Sequence, residues 1–99
     1  MAVYMILEIE VLDEETYAQY KERVPATLPK YGGRYLVRGG EVTPLSGNWH
    51  PERIVIVEFP SAEHFQSWLT SPEYSELAQI RLRSTKSKAV MVEGYSAPK

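Results

Sequence analysis

The chain has 99 residues, 43% hydrophobic and 24% charged, with a net charge of −2. That length fits a single domain over residues 1–99 with a modest core, and the composition is that of an ordinary globular chain without the basic excess that phosphate-backbone binding needs, so nucleic acid is not an expected partner. With no cysteine, disulfides, thiolate nucleophiles and cysteine-based metal sites are excluded.

The first eleven residues are apolar but carry Glu8 and Glu10, and they lack the basic start and small-residue cleavage pattern of a signal peptide. They read as a strand, Val3 to Val11, in which Val3, Met5, Leu7 and Ile9 point one way and Tyr4, Ile6, Glu8 and Glu10 the other. No apolar run approaches the roughly 20 residues that cross a bilayer, so no membrane partner and a cytoplasmic location are expected. Asp13 is placed to cap a helix whose first turn holds Glu14 and Glu15. Tyr17, Tyr20, Val24 and Leu28 recur along it at helical spacing, Pro25 kinks or restarts it, and Gly32 or Gly33 ends it in a left-handed conformation.

A second strand, Arg34 to Arg38, runs into Gly39-Gly40, and a third, Arg53 to Phe59, returns after a loop with Pro44, Gly47, Trp49 and Pro51. Ser61 caps a short helix carrying Phe65, Trp68 and Leu69. Ser71-Pro72 starts another, with Tyr74, Leu77, Ala78 and Arg81 along one side, because serine suits the cap and proline the first helical position. A fourth strand, Ala89 to Tyr95, completes the order βαββαβ, and Arg81, Arg83, Lys86 and Lys88 are read as complementing the negative end of the last helix. The expected class is therefore α+β: a four-stranded antiparallel sheet with its helices on one face. Ile6, Leu36, Ile54, Ile56, Ala89 and Met91 alternate with Leu7, Val37, Val55, Val57, Val90 and Val92, so both sheet faces are apolar. Right-handed crossovers put both helical layers on one side, and a second copy of the chain is the simplest cover for the other.

Polar residues interrupt these strands at few places. By parity Arg34, Arg38, Glu58 and Glu93 fall with one apolar set and Arg53 with the other. Arg38, beside a glycine pair at a strand end, is a candidate for holding a ligand carboxylate or phenolate, with Trp49 and Trp68 as aromatic walls. The alternative is that Arg34 and Arg38 pair with Glu58 or Glu93, or lie at a wet rim. Tyr17, Tyr20, Tyr31, Tyr35 and Tyr74 suit either a small pocket or the edge of the core. Of the two histidines, His50 sits in the loop beside Trp49 and is the candidate general base, while His64 falls in the first turn of a helix. His50, Glu58 and His64 have no recognised ligand spacing, so no metal is expected. Ser61 and Ser71 stand in no nucleophile elbow, and Gly32-Gly33 and Gly39-Gly40 form neither a P-loop nor a dinucleotide fingerprint, so no cofactor is expected.

The run KYGGRYLVRGG from Lys30 to Gly40, EFPS at Glu58 to Ser61 and SPEY at Ser71 to Tyr74 carry a further signal. Together with Trp49, Arg53, Arg81 and the closing VEG at Val92 to Gly94, they closely resemble the domain of unknown function 1330 family, small bacterial proteins of the dimeric α/β-barrel (ferredoxin-like) superfamily. The resemblance spans nearly the whole chain and implies a homodimer in which two sheets pair as an α/β barrel. The wider superfamily that the chain resembles includes cofactor-independent monooxygenases, isomerases and haem enzymes, so the scaffold by itself selects no chemistry. Two functions follow as expectations. One is a cofactor-independent enzyme on a small aromatic or carboxylate-bearing metabolite, with Arg38, Trp49, Arg53, Trp68 and Tyr74 as ligand contacts and His50 or a tyrosine moving a proton. The other is a non-catalytic dimeric module for ligand binding or interaction, whose interior is only packing.

Overall fold

A computed structural model describes residues 1–96 of the chain. Strand β1 (Val3–Val11) alternates as its sequence requires, with Val3, Met5, Leu7 and Ile9 buried and Tyr4, Ile6 and Glu8 half-buried on the opposite side. Helix α1 (Glu14–Arg23) follows, capped by Asp13. The Asp13 carboxylate accepts from the Thr16 hydroxyl at 2.7 Å and the Thr16 N–H at 3.1 Å, bonds that hold its pKa below the ordinary carboxylate range. Pro25 has no N–H to continue the helical ladder, and α1 gives way to two 3₁₀ turns at Val24–Thr27 and Pro29–Tyr31. Gly32 then ends the segment at φ +72°, while Gly33 stays outside the left-handed region.

Strands β2 (Arg34–Arg38) and β3 (Arg53–Phe59) have the bounds that the sequence predicts. Helices α2 (Ala62–Leu69) and α3 (Pro72–Ser84) are capped by Ser61 and Ser71, whose hydroxyls accept from the N–H groups of His64 and Tyr74. Strand β4 corrects the sequence reading. It spans Thr85–Glu93, starting four residues before Ala89, because β1 offers a ladder as far as Val11, which pairs with Thr85. Lys86 and Lys88 thus belong to the sheet, opposite Glu10 and Glu8, where unlike charges across strands favour the register; only Arg81 and Arg83 lie in the last turn of α3.

The sheet order is β2-β3-β1-β4 with every neighbour antiparallel, and the helices cover one face. The buried core lies between them, where Phe59, Trp68, Tyr74 and Leu77 close on Val3, Met5, Leu7, Ile9, Val55 and Val57. This is the expected ferredoxin-like α+β arrangement. The two apolar sets need one correction: register places Val90 and Val92 opposite Ile6 and Tyr4 on the helix-free face, and Ala89 and Met91 opposite Leu7 and Met5 on the helix side. Val90 and Val92 are exposed on that bare face.

A second departure matters more. Arg34 pairs with Glu58 and Tyr35 with Val57, but the next pairs are Val37 with Ile56 and Arg38 with Val55, so Leu36 is an extra residue in a β-bulge. The bulge reverses the side-chain parity of β2. Arg34 projects from the helix-free face and Arg38 from the helix face, and the equal parity read from their spacing does not hold. Among the described residues no helix is long and apolar enough to cross a membrane.

Gly32 is expected to be the critical glycine of the α1–β2 connection, since a Cβ there would stand 2.8 Å from Pro60 Cγ as well as strain the backbone. Gly32→Ala should cost about 1–2 kcal/mol and lower Tm by roughly 4–8 °C per kcal/mol. Gly40→Ala, where an added Cβ meets nothing within 4 Å, should melt within about 2–4 °C of the parent. Equal melting of the two variants in thermal scans would contradict this assignment.

Candidate functional site: an arginine-mouthed cleft under the first helix

Between the helix face of the sheet and α1 lies a cleft whose floor is Met5, Leu7, Ile9, Val55 and Val57. Tyr17, Tyr20, Tyr35 and Trp68 form its aromatic walls, and Arg38, Arg53 and Lys21 stand at its mouth. Each is brought there by a local cause. The bulge at Leu36 turns Arg38 inward. Arg53 opens β3 opposite Ile9, on the core side of the sheet. Tyr17, Tyr20 and Lys21 share the sheet-facing side of α1 through helical spacing.

The two arginines are held without carboxylates. Arg53 Nε donates to the Tyr17 hydroxyl at 3.0 Å, and its guanidinium lies 5.7 Å from the centre of the Tyr17 ring. A Cβ on Gly39, itself at φ +72°, would overlap that guanidinium, so glycine is what allows Arg53 to lie across the end of β2. Arg38 stacks over Tyr35 at 4.8 Å and donates to the backbone carbonyl of Lys21 in α1. Among the described residues the ion pairs are Arg34–Glu58 at 2.6 Å, on the opposite sheet face, and the looser Arg23–Glu76 at 3.7 Å. Of the expected alternative pairings, Arg34–Glu58 forms and Arg38–Glu58 does not. Arg34 beside Glu58 holds that carboxyl below its ordinary pKa, with the Tyr4 hydroxyl assisting.

Deeper in, the Tyr20 and Tyr74 hydroxyls share a hydrogen bond of 3.0 Å, and Tyr74 packs 3.8 Å from Trp68 between ring centres. Trp68 Nε1 donates to Thr27 Oγ1 at 2.9 Å, which satisfies the one polar atom of its buried ring. Burial, reinforced by Tyr74, pushes the Tyr20 hydroxyl far above the ordinary tyrosine range, and burial also raises Tyr35. These hydroxyls stay protonated at neutral pH, and as neutral groups they donate or accept hydrogen bonds but supply no base.

The cavity of this cleft is ≈ 20 Å³, about enough for a single water. Immediately outside it, Ala18, Lys21, Glu22, Arg38 and Arg53 line a shallow, open basin of ≈ 420 Å³. Arg38, Arg53 and Lys21 belong to both and separate them.

Of the residues singled out in the sequence, Arg38, Arg53 and Trp68 meet in this cleft, and Tyr74 supports it from behind through Tyr20. Trp49 and His50 lie elsewhere. Trp49 sits over the helix-free face, donating to Glu8 Oε1 at 3.0 Å beside Ile6 and Val90. His50 is exposed in a separate charged hollow with Glu8, Glu10, Glu52, Lys86 and Lys88. His64 contacts its own cap, with Nδ1 2.6 Å from Ser61 Oγ. Neither histidine lines the cleft. Among the described residues no group of three or more His, Cys, Asp or Glu is placed to hold a metal ion. Lys21 escaped the sequence reading, and Pro25 was read only as the break in the first helix, although it falls four residues after Lys21, the spacing at which a helix carbonyl seeks its donor.

The family model described as a domain of unknown function, DUF1330, matches residues 2–95. The chain belongs to the DUF1330 family. Among functionally curated proteins none matches it. Solved structures resemble this DUF1330 protein in fold. A protein of unknown function from Rhodopseudomonas palustris superposes with a TM-score of 0.77 at 18% identity, covering 97% of this chain and 84% of that one. A dimeric ferredoxin-like protein of unknown function from Jannaschia sp. CCS1 gives a TM-score of 0.73 at 12% identity over 95% of this chain and 100% of the other. SnoaB, a cofactor-independent oxygenase from Streptomyces nogalater, gives 0.67 at 13% identity over 97% and 95%.

The Tyr20–Tyr74 bond should behave as a coupled pair. Tyr20→Phe leaves the buried Tyr74 hydroxyl without its partner and should cost about 1–3 kcal/mol in urea unfolding, whereas Tyr20→Phe with Tyr74→Phe should cost less than the sum of the singles. Strict additivity would show that the two hydroxyls do not depend on each other.

Proposed function

We propose that this DUF1330 protein binds a small aromatic metabolite bearing a carboxylate or phenolate, with the anion on Arg38 and Arg53 and the ring against the tyrosine and Trp68 walls. One observation carries this reading: two guanidinium groups stand at the mouth of an apolar cleft, and neither forms an ion pair among the described residues. A charge at the edge of an apolar interior is normally neutralised by a partner, and an arginine fork matches the two oxygens of a carboxylate. Lys21 adds a third positive group to the same rim.

Such a rim stabilises the ionised form of a bound phenol or enol over its neutral form, which lowers the pKa of the ligand. Ionising an aromatic substrate is a useful first step for a protein that activates it with no cofactor. SnoaB, alike in fold, is described as a cofactor-independent oxygenase, which favours the enzymatic form of the reading. The absence of a histidine from the cleft favours the other form, a binding module, so the proposal commits to anion recognition and ligand ionisation by arginine.

The working unit is a homodimer. Ile6, Ile54 and Ile56 with the exposed Val90 and Val92 form an apolar helix-free face that the chain's own helices cannot cover, and the Jannaschia protein alike in fold is described as dimeric. Sedimentation at micromolar concentration should give a dimer, and Ile56→Lys should give a monomer that keeps its helical circular dichroism. A parent that sediments as a monomer would refute this assembly.

4-Nitrophenol tests the site directly, because its absorbance reports its ionisation. Titrated against pH with excess protein, its apparent pKa should fall by about 1 unit or more, equivalent to ~1.4 kcal/mol in favour of the anion. Arg38→Met and Arg53→Met should each remove most of that shift. An unchanged or raised pKa of the bound phenol would overturn the proposal.

A further inference from the structure

Lys21 lies in the last turn of α1, where helix carbonyls lose their usual donors. The N–H that would ordinarily serve the Lys21 carbonyl belongs to the residue four positions on. That residue is Pro25, which has none. Val24 donates to Tyr20, one step earlier, so the ladder is complete up to that point and breaks at Lys21. Arg38 fills the break. Its Nη2 donates to the Lys21 carbonyl from across the cleft mouth, while its guanidinium rests on Tyr35. A backbone defect in α1 and a bulge in β2 therefore meet in one contact, and that contact stands between the basin of ≈ 420 Å³ and the cavity of ≈ 20 Å³ behind it.

We infer that Pro25, the Lys21 carbonyl and Arg38 form a latch that an anion opens, with Pro25 a positioning residue that leaves the carbonyl to Arg38: the site favours aromatic ligands with an anionic group attached to the ring and takes neutral ones more weakly. This rests on the anion-binding reading above and adds the means by which the ligand gains entry. The physical basis is a competition for one guanidinium. The resident acceptor is a neutral carbonyl, whereas a carboxylate or phenolate in the basin adds a full negative charge to meet the guanidinium, and a carboxylate also offers two oxygens to its fork. Arg38 turning to that anion breaks the span from β2 to α1 and bares the aromatic walls at the moment the ligand's ring needs them. A neutral aromatic must break the same contact and receives no bond from Arg38 in return, so its affinity is reduced by the fraction of molecules in which the latch is closed. The exposed stem of Arg38 and the open basin leave the side chain room for this turn, while Arg53, fixed by Tyr17 and packed on Gly39, stays as the stationary half of the anion site.

The latch predicts that two substitutions open the cleft alike but differ in anion binding. Pro25→Ala supplies the missing N–H, so the Lys21 carbonyl is satisfied within the helix and Arg38 is released; Arg38→Met removes the latch together with the anion contact. Trp68 reports opening, because it lines the cleft and is 1% exposed; Trp49, the other tryptophan, is removed as Trp49→Phe from all proteins compared. Acrylamide quenching of Trp68 should rise severalfold in both Pro25→Ala and Arg38→Met relative to the Trp49→Phe parent, with far-UV circular dichroism unchanged. Pro25→Ala should bind 4-nitrophenolate and the neutral probe nitrobenzene each about 5- to 10-fold more tightly than the parent, while Arg38→Met should gain only for nitrobenzene. Trp68 quenched equally in parent, Pro25→Ala and Arg38→Met would overturn the latch. If that happens while 4-nitrophenolate still binds through Arg53 and Arg38, the anion site stands without the latch. If quenching rises as expected and 4-nitrophenolate does not bind, the latch stands and the ligand class assigned above is wrong.

Discussion

The arrangement depends on one extra residue in an edge strand. Without the bulge at Leu36, strict alternation would keep Arg34 and Arg38 on the same sheet face, both over the helix-free side with Glu58. With it, Arg34 remains there and takes Glu58, leaving Arg38 to project under α1 without an ion pair among the described residues. A one-residue insertion thus separates a surface ion pair, worth little by itself, from a cation committed to a cleft. The helix-free face stays apolar enough for association, and the helix face gains a charged mouth.

The remaining site geometry follows from elements with other primary duties. Tyr17, Tyr20 and Trp68 are core residues whose burial stabilises the packing of helices on the sheet, each by about 1.5–3 kcal/mol for an aromatic or large aliphatic side chain. Their polar atoms are satisfied by Arg53, Tyr74 and Thr27 respectively. The cleft is therefore a seam in the core, lined by groups already satisfied and already rigid. What its arginines lack is an ion pair among the described residues, and a ligand anion is the partner proposed for them.

Much of this was legible in the residues. Asp13, Ser61 and Ser71-Pro72 marked helix starts because capping chemistry is local, and Val3 to Ile9 announced its buried side by alternation alone. Gly32 was one of two glycines named for the left-handed end of the first segment. Arg38, Arg53 and Trp68 were recognisable as polar or aromatic exceptions in apolar runs. The bulge was not legible, because an extra residue in a strand leaves the composition of that strand unchanged and shows only against the partner it pairs with. The start of β4 was missed for a related reason: Thr85 to Lys88 is too polar to read as strand until β1 presents Glu8 and Glu10 opposite its lysines. Trp49 and His50 look as promising as Trp68 in one dimension, yet their loop folds over the other face of the sheet. The role of Pro25 in leaving the Lys21 carbonyl open needed the position of Arg38, which rests in turn on the bulge.

The central claim is the direction in which Arg38 points. Side-chain nuclear Overhauser effects in an isotope-labelled sample measure it directly. The account predicts contacts from the Arg38 side chain to the protons of Lys21 on α1 and of Val24 just beyond it, together with Arg34 contacts confined to Tyr4 and Glu58. Contacts from Arg38 to Ile56 and Glu58, on the helix-free face, would contradict it.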